Sequence, residues 1–183
     1  MSEMRAKWGW FLALGLLLVV LGTIALYNTF IATVASVFTI GFLLLIGGVA
    51  QIAHAFGVKS WSGFFWWLLA GIIYALGGLY AIFDPIPAAL ILTLLLASVL
   101  IVGGVLRIIV ALRERPRRFW GWVLAAGSVS LLAGLVIAIG WPISGLWVLG
   151  LFLAIDLIFQ GWALVAVALG LRRGDSADAT TRA

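Results

Sequence analysis

Three pairs of glycines recur along this chain at a fixed interval of 56 residues. The pairs are Gly15 and Gly22, Gly71 and Gly78, and Gly127 and Gly134, each with its members seven residues apart. A period this regular indicates that one structural unit has been used three times, over about residues 8–63, 64–119 and 120–173. A membrane-crossing helix needs roughly 20 residues, so each unit is long enough for two of them.

Composition restricts the chain to one broad class of protein. It has 183 residues, of which 66% are hydrophobic and only 9% are charged, whereas soluble domains carry about 25% charged residues. So few charges cannot cover a water-soluble fold, and the sequence therefore predicts an integral membrane protein. There are no cysteines, which excludes disulfides, thiolate catalysis and cysteine-based metal sites.

Six apolar segments are long enough to cross a bilayer. They lie at about residues 8–26, 31–56, 64–83, 88–112, 120–139 and 147–171. A β-barrel would alternate apolar and polar residues, and these segments are apolar throughout. The sequence therefore predicts an all-α bundle of six transmembrane helices forming one domain over residues 1–173. Residues 174–183 are predicted to be a short, polar, disordered cytoplasmic tail.

The basic residues predict how these spans are oriented. All eleven lysines and arginines can be assigned to one side of the membrane, and the opposite turns carry only Asp84. By the positive-inside rule, both termini are predicted to be cytoplasmic, in the inner membrane of a bacterium. The same distribution explains the net charge of +5 without a nucleic-acid partner. The expected surroundings are lipid, with a homo-oligomer or other membrane proteins as possible partners.

Two spans per unit return the chain to its starting side, so the three units are predicted to be parallel repeats. Gly47 and Gly48 match Gly103 and Gly104 at the 56-residue step. After Gly134 the step becomes 57, which places one extra residue near the last outer turn.

The paired glycines have two possible roles. A spacing of seven returns to nearly the same face of a helix after two turns, and small residues allow helices in lipid to approach closely. The six paired glycines are therefore predicted to lie in helix contacts. A glycine-lined pore is the alternative.

Asp156 is the sharpest candidate for a functional side chain. It lies about 14 Å into a hydrocarbon core of about 30 Å. A carboxylate at that depth costs about 2.5–3.5 kcal/mol on insertion scales, and such acids often mark functional sites. Gln160 follows one turn later and can share the same face. Asp156 is thus either a proton-responsive group or a neutral acid that bonds to Gln160 or a backbone carbonyl and joins helices.

Arg107 and His54 are the remaining polar candidates. Arg107 lies about 8 Å from the cytoplasmic end of its span and is expected to extend its guanidinium to the interface. A pair with Asp156 would need the two spans to be staggered by about 12 Å. His54 lies near the end of the second span, either as an ordinary interfacial residue or as a pH sensor.

Motifs for catalysis or cofactor binding are missing from the sequence. There is no phosphate-binding loop, no GxSxG and no HExxH. His54 has no second histidine or carboxylate at a metal-ligand spacing. We therefore expect a protein that is not an enzyme and that needs no metal and no cofactor.

Several segments together resemble one family of membrane proteins. These are the glycine pairs, Asp84-Pro85, the stretch 103–108, Trp141-Pro142 followed by Gly150, and the acidic stretch 154–161. In this combination the chain resembles the HdeD family of small bacterial inner-membrane proteins, over about residues 8–172. It departs from the family at Asn28-Thr29, where a proline is usual. The resemblance implies six spans and a role in acid or stress tolerance, without an established reaction.

Two other function classes stay open on the sequence alone. A small transporter or channel for protons or a solute would need a hydrated path through spans that carry few polar residues. A scaffold or assembly subunit would join other proteins through its glycine faces.

Overall fold

The computed structural model describes residues 8–114 and 119–181, and beyond Arg172 it describes only the backbone. All regular structure in these residues is helical. The α-helices are α1 Trp8–Tyr27, α2 Thr29–Ala55, α3 Trp61–Phe83, α4 Pro85–Arg113, α5 Trp120–Ile139 and α6 Val148–Thr181. A 3₁₀-helix at Ile143–Leu146 lies between α5 and α6.

The six α-helices are long and apolar enough to cross a membrane, α6 through its segment Val148–Arg172. In each helix only 11–28% of the most apolar stretch is buried inside the protein. The rest of that apolar surface faces outward, which suits lipid and not water. The predicted fold class is confirmed: this is an all-α, multi-pass membrane protein with internal repeats.

Local sequence explains where the helices begin. Ser60 starts α3 three residues earlier than predicted, because its Oγ accepts a hydrogen bond from the Gly63 N–H at 3.2 Å. Asn28 does the same for α2, accepting from the Ile31 N–H at 3.2 Å. Pro85 is the first residue of α4, a position where its missing N–H is not needed.

The outer turn of the third repeat differs from the other two. Asn28 and Asp84 are single-residue connections, whereas α5 and α6 are separated by the segment that contains the 3₁₀-helix. The irregularity lies where the shift in repeat length predicts it. Ser144 in this turn is buried, and its Oγ donates a 2.8 Å hydrogen bond to the Ile137 carbonyl.

The backbone of α6 continues to Thr181. This departs from the disordered tail that the sequence predicts for residues 174–183, of which 182 and 183 lie outside the described residues. The sequence contains no proline after Val148, so nothing removes a backbone N–H from the extended helix.

Contacts divide the chain into two compact units, although the sequence predicts one domain. One unit combines Met1–Ala32 with Gly150–Ala183, and the other is Thr33–Leu149. The first unit thus contains α1 and nearly all of α6. The second contains α3, α4, α5 and most of α2.

The core of the Thr33–Leu149 unit is made of small and β-branched residues. One cluster joins Val37 to Ala81, Ala88 and Ala89. A second cluster joins Ala97 to Ile137 and Val148. Alanines at these positions let the helix backbones approach closely, which is how helices associate in lipid.

Candidate functional site

The paired glycines lie in three helix contacts of one kind. In the Thr33–Leu149 unit α3 packs on α2, and α5 packs on α4. In the other unit α1 packs on α6. A Cβ atom added to Gly78, Gly134 or Gly22 would lie 2.6–2.9 Å from a backbone oxygen of the facing helix. The first glycines of the pairs, at positions 15, 71 and 127, meet backbone oxygens at 2.8–3.0 Å.

The facing helices carry a matching series of small residues at the same seven-residue spacing. These are Gly41, Gly48 and Ala55 on α2, Ala97, Gly104 and Ala111 on α4, and Ala154, Gly161 and Ala168 on α6. All nine are buried. Each contact therefore joins the second helix of one repeat to the first helix of the next, and α6 of the third repeat joins α1 of the first.

Equivalent positions of the repeat face each other in all three contacts. Gly71 meets the Gly48 carbonyl, Gly127 meets the Gly104 carbonyl, and Gly15 meets the Gly161 carbonyl. The sequence placed the glycines on stripes but did not identify which helices they join. The small residues at positions 41, 97 and 154, which occupy equivalent places in the repeat, mark the facing stripes but not which helix each stripe meets.

Asp156 and Gln160 form a hydrogen-bonded pair on α6. The Gln160 side-chain amide donates to Asp156 Oδ2 at 2.6 Å. Both side chains are exposed. Ala154, two residues earlier, faces Gly22 of α1, and two residues turn a helix by about 200°. The pair therefore lies on the side of α6 that faces away from α1.

The first two repeats have no such pair at the equivalent positions. Leu43 and Val99 stand where Asp156 does, with 65% and 68% of their surface exposed. Gly47 and Gly103 stand where Gln160 does, and a Cβ atom on either would have no neighbour within 4 Å. The third repeat thus places a carboxyl and an amide on a face that is apolar in the other two.

The Asp156 carboxyl stands apart from other acidic groups in the described spans. One carboxyl oxygen accepts from Gln160. The packed helix α1 brings no titratable side chain before Tyr27, its last residue. Within the six described spans Asp156 is the only acidic residue.

Arg107 has a partner that the sequence did not indicate. Its Nη1 donates to Ser130 Oγ at 2.8 Å, from α4 to α5. A Cβ atom on Gly127 would lie 2.9 Å from Arg107 Cβ, so the arginine lies at the edge of a glycine contact. The structure gives Arg107 and Asp156 different partners.

His54 and Arg172 each contact a tryptophan. The His54 ring meets the Trp67 ring edge-on, with centroids 4.8 Å apart, between α2 and α3. The Arg172 guanidinium lies 5.4 Å from the Trp8 ring centroid, between α6 and α1. Such a cation–π contact favours a charge next to an aromatic face. Trp67 and Trp8 thus each contact a side chain of the helix that packs against their own.

Metal binding finds no further support in the part of the chain that the structure describes. Residues 8–114 and 119–181 contain no group of three His, Cys, Asp or Glu side chains that could hold an ion.

The comparisons with known proteins give one family. A model described as a short repeat of unknown function (DUF308) matches residues 13–83 and again residues 69–139. The two matches begin 56 residues apart, which is the glycine period. The first contains the α2–α3 contact and the second the α4–α5 contact. Comparison with the curated proteins gave no match, and neither did comparison with the solved structures.

Proposed function

Since this chain belongs to the family of the short repeat DUF308, we propose that it is a bacterial inner-membrane protein, not an enzyme, that contributes to acid or stress tolerance. Two features support the proposal. One is the resemblance to the HdeD family in the segments described above. The other is the Asp156–Gln160 pair, which puts the only acidic residue of the six spans on an exposed face. That pair is the observation that carries the proposal.

The mechanism follows from the cost of charge in lipid. An ionised carboxyl inside the bilayer is unfavourable, and protonation removes that cost. A protonated Asp156 also gains an O–H donor, which changes what the amide of Gln160 and a neighbouring group can bond to. Acidification would thereby alter the packing of α6 against its surroundings.

The proposed orientation places both ends of the chain in the cytoplasm. Arg113 is the last residue of α4, Lys59 lies in the turn after α2, and Arg172 ends the apolar segment of α6. Asp84 joins α3 to α4 at their opposite ends. A phosphatase reporter, active only outside the cytoplasm, should be inactive when fused after Arg172 and active when fused at Asp84. The reverse pattern would overturn this orientation.

The hydroxyl groups in the spans favour this proposal over a transporter or channel. Thr23, Thr39, Ser98 and Ser128 each donate a hydrogen bond to the carbonyl four residues earlier in the same helix. Hydroxyls used in this way are satisfied by their own backbone and offer little to a hydrated path. We expect no proton or solute flux above that of empty vesicles.

The proposal is tested by survival of acid. A host strain without this protein should lose more viable cells after an acid challenge than the same strain carrying the chain from a plasmid. Growth of the two strains without any challenge serves as the control for general fitness. Equal survival of the two strains under acid and under other stresses would overturn the proposed role.

A further inference from the structure

An apolar groove lies within the Thr33–Leu149 unit, where α2, α3 and α4 diverge. Its volume is about 340 Å³. It is lined by small residues, Gly77, Ala81 and Ala88, and by larger ones such as Ile91 and Leu95. It opens between helices that cross the membrane, so the medium that reaches it is lipid and not water.

Gly77 explains why the groove is open. Its neighbour Gly78 lies in the tight contact with α2, yet a Cβ atom on Gly77 would have nothing within 4 Å. The equivalent residue is Leu21 in α1 and Ala133 in α5. The absence of a side chain at this position of α3 is thus a departure from the repeat that leaves space on the helix surface.

Two tyrosines line the groove at different depths. Tyr80 lies four residues before Asp84, about 6 Å from the end of α3, and Tyr74 lies about 15 Å from that end. Both rings are a little under half exposed, at 43% and 45%. Neither hydroxyl has a hydrogen-bond partner among residues 8–114 and 119–181. The equivalent residues are aliphatic in α1, Leu18 and Ile24.

We propose that this groove binds one acyl chain of a phospholipid from the leaflet on the Asp84 side. The chain lies over Gly77 between the isoleucine and leucine side chains. Tyr80, near the headgroup level, donates its O–H to the ester carbonyl of the same lipid. Tyrosine suits this depth because one end of its ring is apolar and the other is polar.

The shape and chemistry of the groove argue against other occupants. Its lining contains no charged side chain, so a polar solute would lose its hydration without replacement. One turn of a helix about 10 Å across and about 5.4 Å long takes up roughly 420 Å³ with its side chains, more than the space of about 340 Å³. A single flexible hydrocarbon chain fits both the volume and the lining.

The test uses a phosphatidylethanolamine that carries a photoreactive diazirine in one acyl chain. The full chain is reconstituted into vesicles of phosphatidylethanolamine and phosphatidylglycerol containing this probe. After illumination, mass spectrometry locates the labelled residues. Labelling should concentrate on residues 73–81 and 88–95. Equal labelling on exposed faces elsewhere, such as around Val99 and Ile155, would overturn the proposal.

Two variants make the test specific. Gly77→Leu restores the residue that α1 has at the equivalent position and should reduce labelling of the groove about tenfold. Gly103→Leu is the matched control, because Gly103 is equally open and lies outside the groove. If the groove of Gly77→Leu is labelled like that of the unaltered protein, no acyl chain lies over Gly77. The same follows if Gly103→Leu reduces labelling of the groove as much as Gly77→Leu does.

The tyrosines provide an independent check that does not depend on the glycine variant folding. Tyr80→Phe should reduce labelling about two- to tenfold, the value of one hydrogen bond. Tyr74→Phe should change it little, since an acyl chain offers no acceptor at that depth. An equal effect of the two would contradict the assignment of the ester to Tyr80. None of these variants touches Asp156, so the result is independent of the proposed function.

Discussion

At the scale of single residues, the position of each glycine around its helix decides its role. Gly104 and Gly103 are neighbours in α4, yet they meet different surroundings. A Cβ atom on Gly104 would lie 2.6 Å from the Leu131 nitrogen, and one on Gly103 would touch nothing. Two glycines that look the same in the sequence therefore differ in what a methyl group would cost.

We expect Gly104→Ala to destabilise the protein by about 1–3 kcal/mol, because α5 must move away to admit the methyl group. Gly103→Ala should be neutral or stabilising by up to about 1 kcal/mol, because alanine favours the helix. The free energy of unfolding in mixed micelles, followed by circular dichroism, measures both. If Gly103→Ala lowers the free energy of unfolding as much as Gly104→Ala does, the described contact between Gly104 and α5 is wrong.

The sequence indicated some of these residues and not others. Asp156 and Gln160 were identified because an acid and an amide four residues apart stand out in an apolar segment. Ser130 was not identified as the partner of Arg107, because the two lie on different helices and serine is common in such spans. The contact of Trp67 with His54 was not identified either, because the two residues lie on different helices and their spacing gives no signal for it.

At the scale of helices, the repeat unit in the sequence is not the unit that packs most tightly. Each repeat is a pair of consecutive helices, but the glycine contacts join α2 to α3, α4 to α5 and α6 to α1. The helix bounds followed from hydrophobicity, which marks each span separately. Which helices pair with each other did not follow from hydrophobicity, because every helix carries a small-residue stripe and the stripes fit one another equally well.

Cysteine pairs test the contact between the first and the last helix. Val19 and Ile158 lie beside the glycines of this contact, next to Gly161 and Gly22 respectively. The double variant Val19→Cys, Ile158→Cys should form an intramolecular disulfide on mild oxidation, because both side chains lie in the contact between α1 and α6. Mass spectrometry of the linked peptides detects it in a chain that has no other cysteine.

A matched pair provides the control for that experiment. Val20 is turned by about 100° from Val19 and is 55% exposed. Val20→Cys with Ile158→Cys should therefore form little disulfide within one chain. If both pairs link to the same extent, or if only the control pair links, α1 and α6 do not pack through the described glycines.

At the scale of the whole molecule, the three repeats share a scaffold and differ in a few places. The shared part is the set of small residues that let helices approach. The differences are the longer outer turn and the Asp156–Gln160 pair in the third repeat, and the groove over Gly77 at α3. We infer that function resides in the places where the repeats differ, because helix packing accounts for the small residues that they share.

The most direct test of this account is acid survival of a strain that carries Asp156→Asn in place of the natural chain. Asparagine keeps the shape and a hydrogen-bonding group but cannot take up a proton. Asp84→Asn is the matched control, because Asp84 lies outside the spans and its side chain makes no capping hydrogen bond. At equal expression, we predict that survival with Asp156→Asn falls to that of the strain without the protein, while Asp84→Asn survives normally. Normal survival of the Asp156→Asn strain would contradict the account.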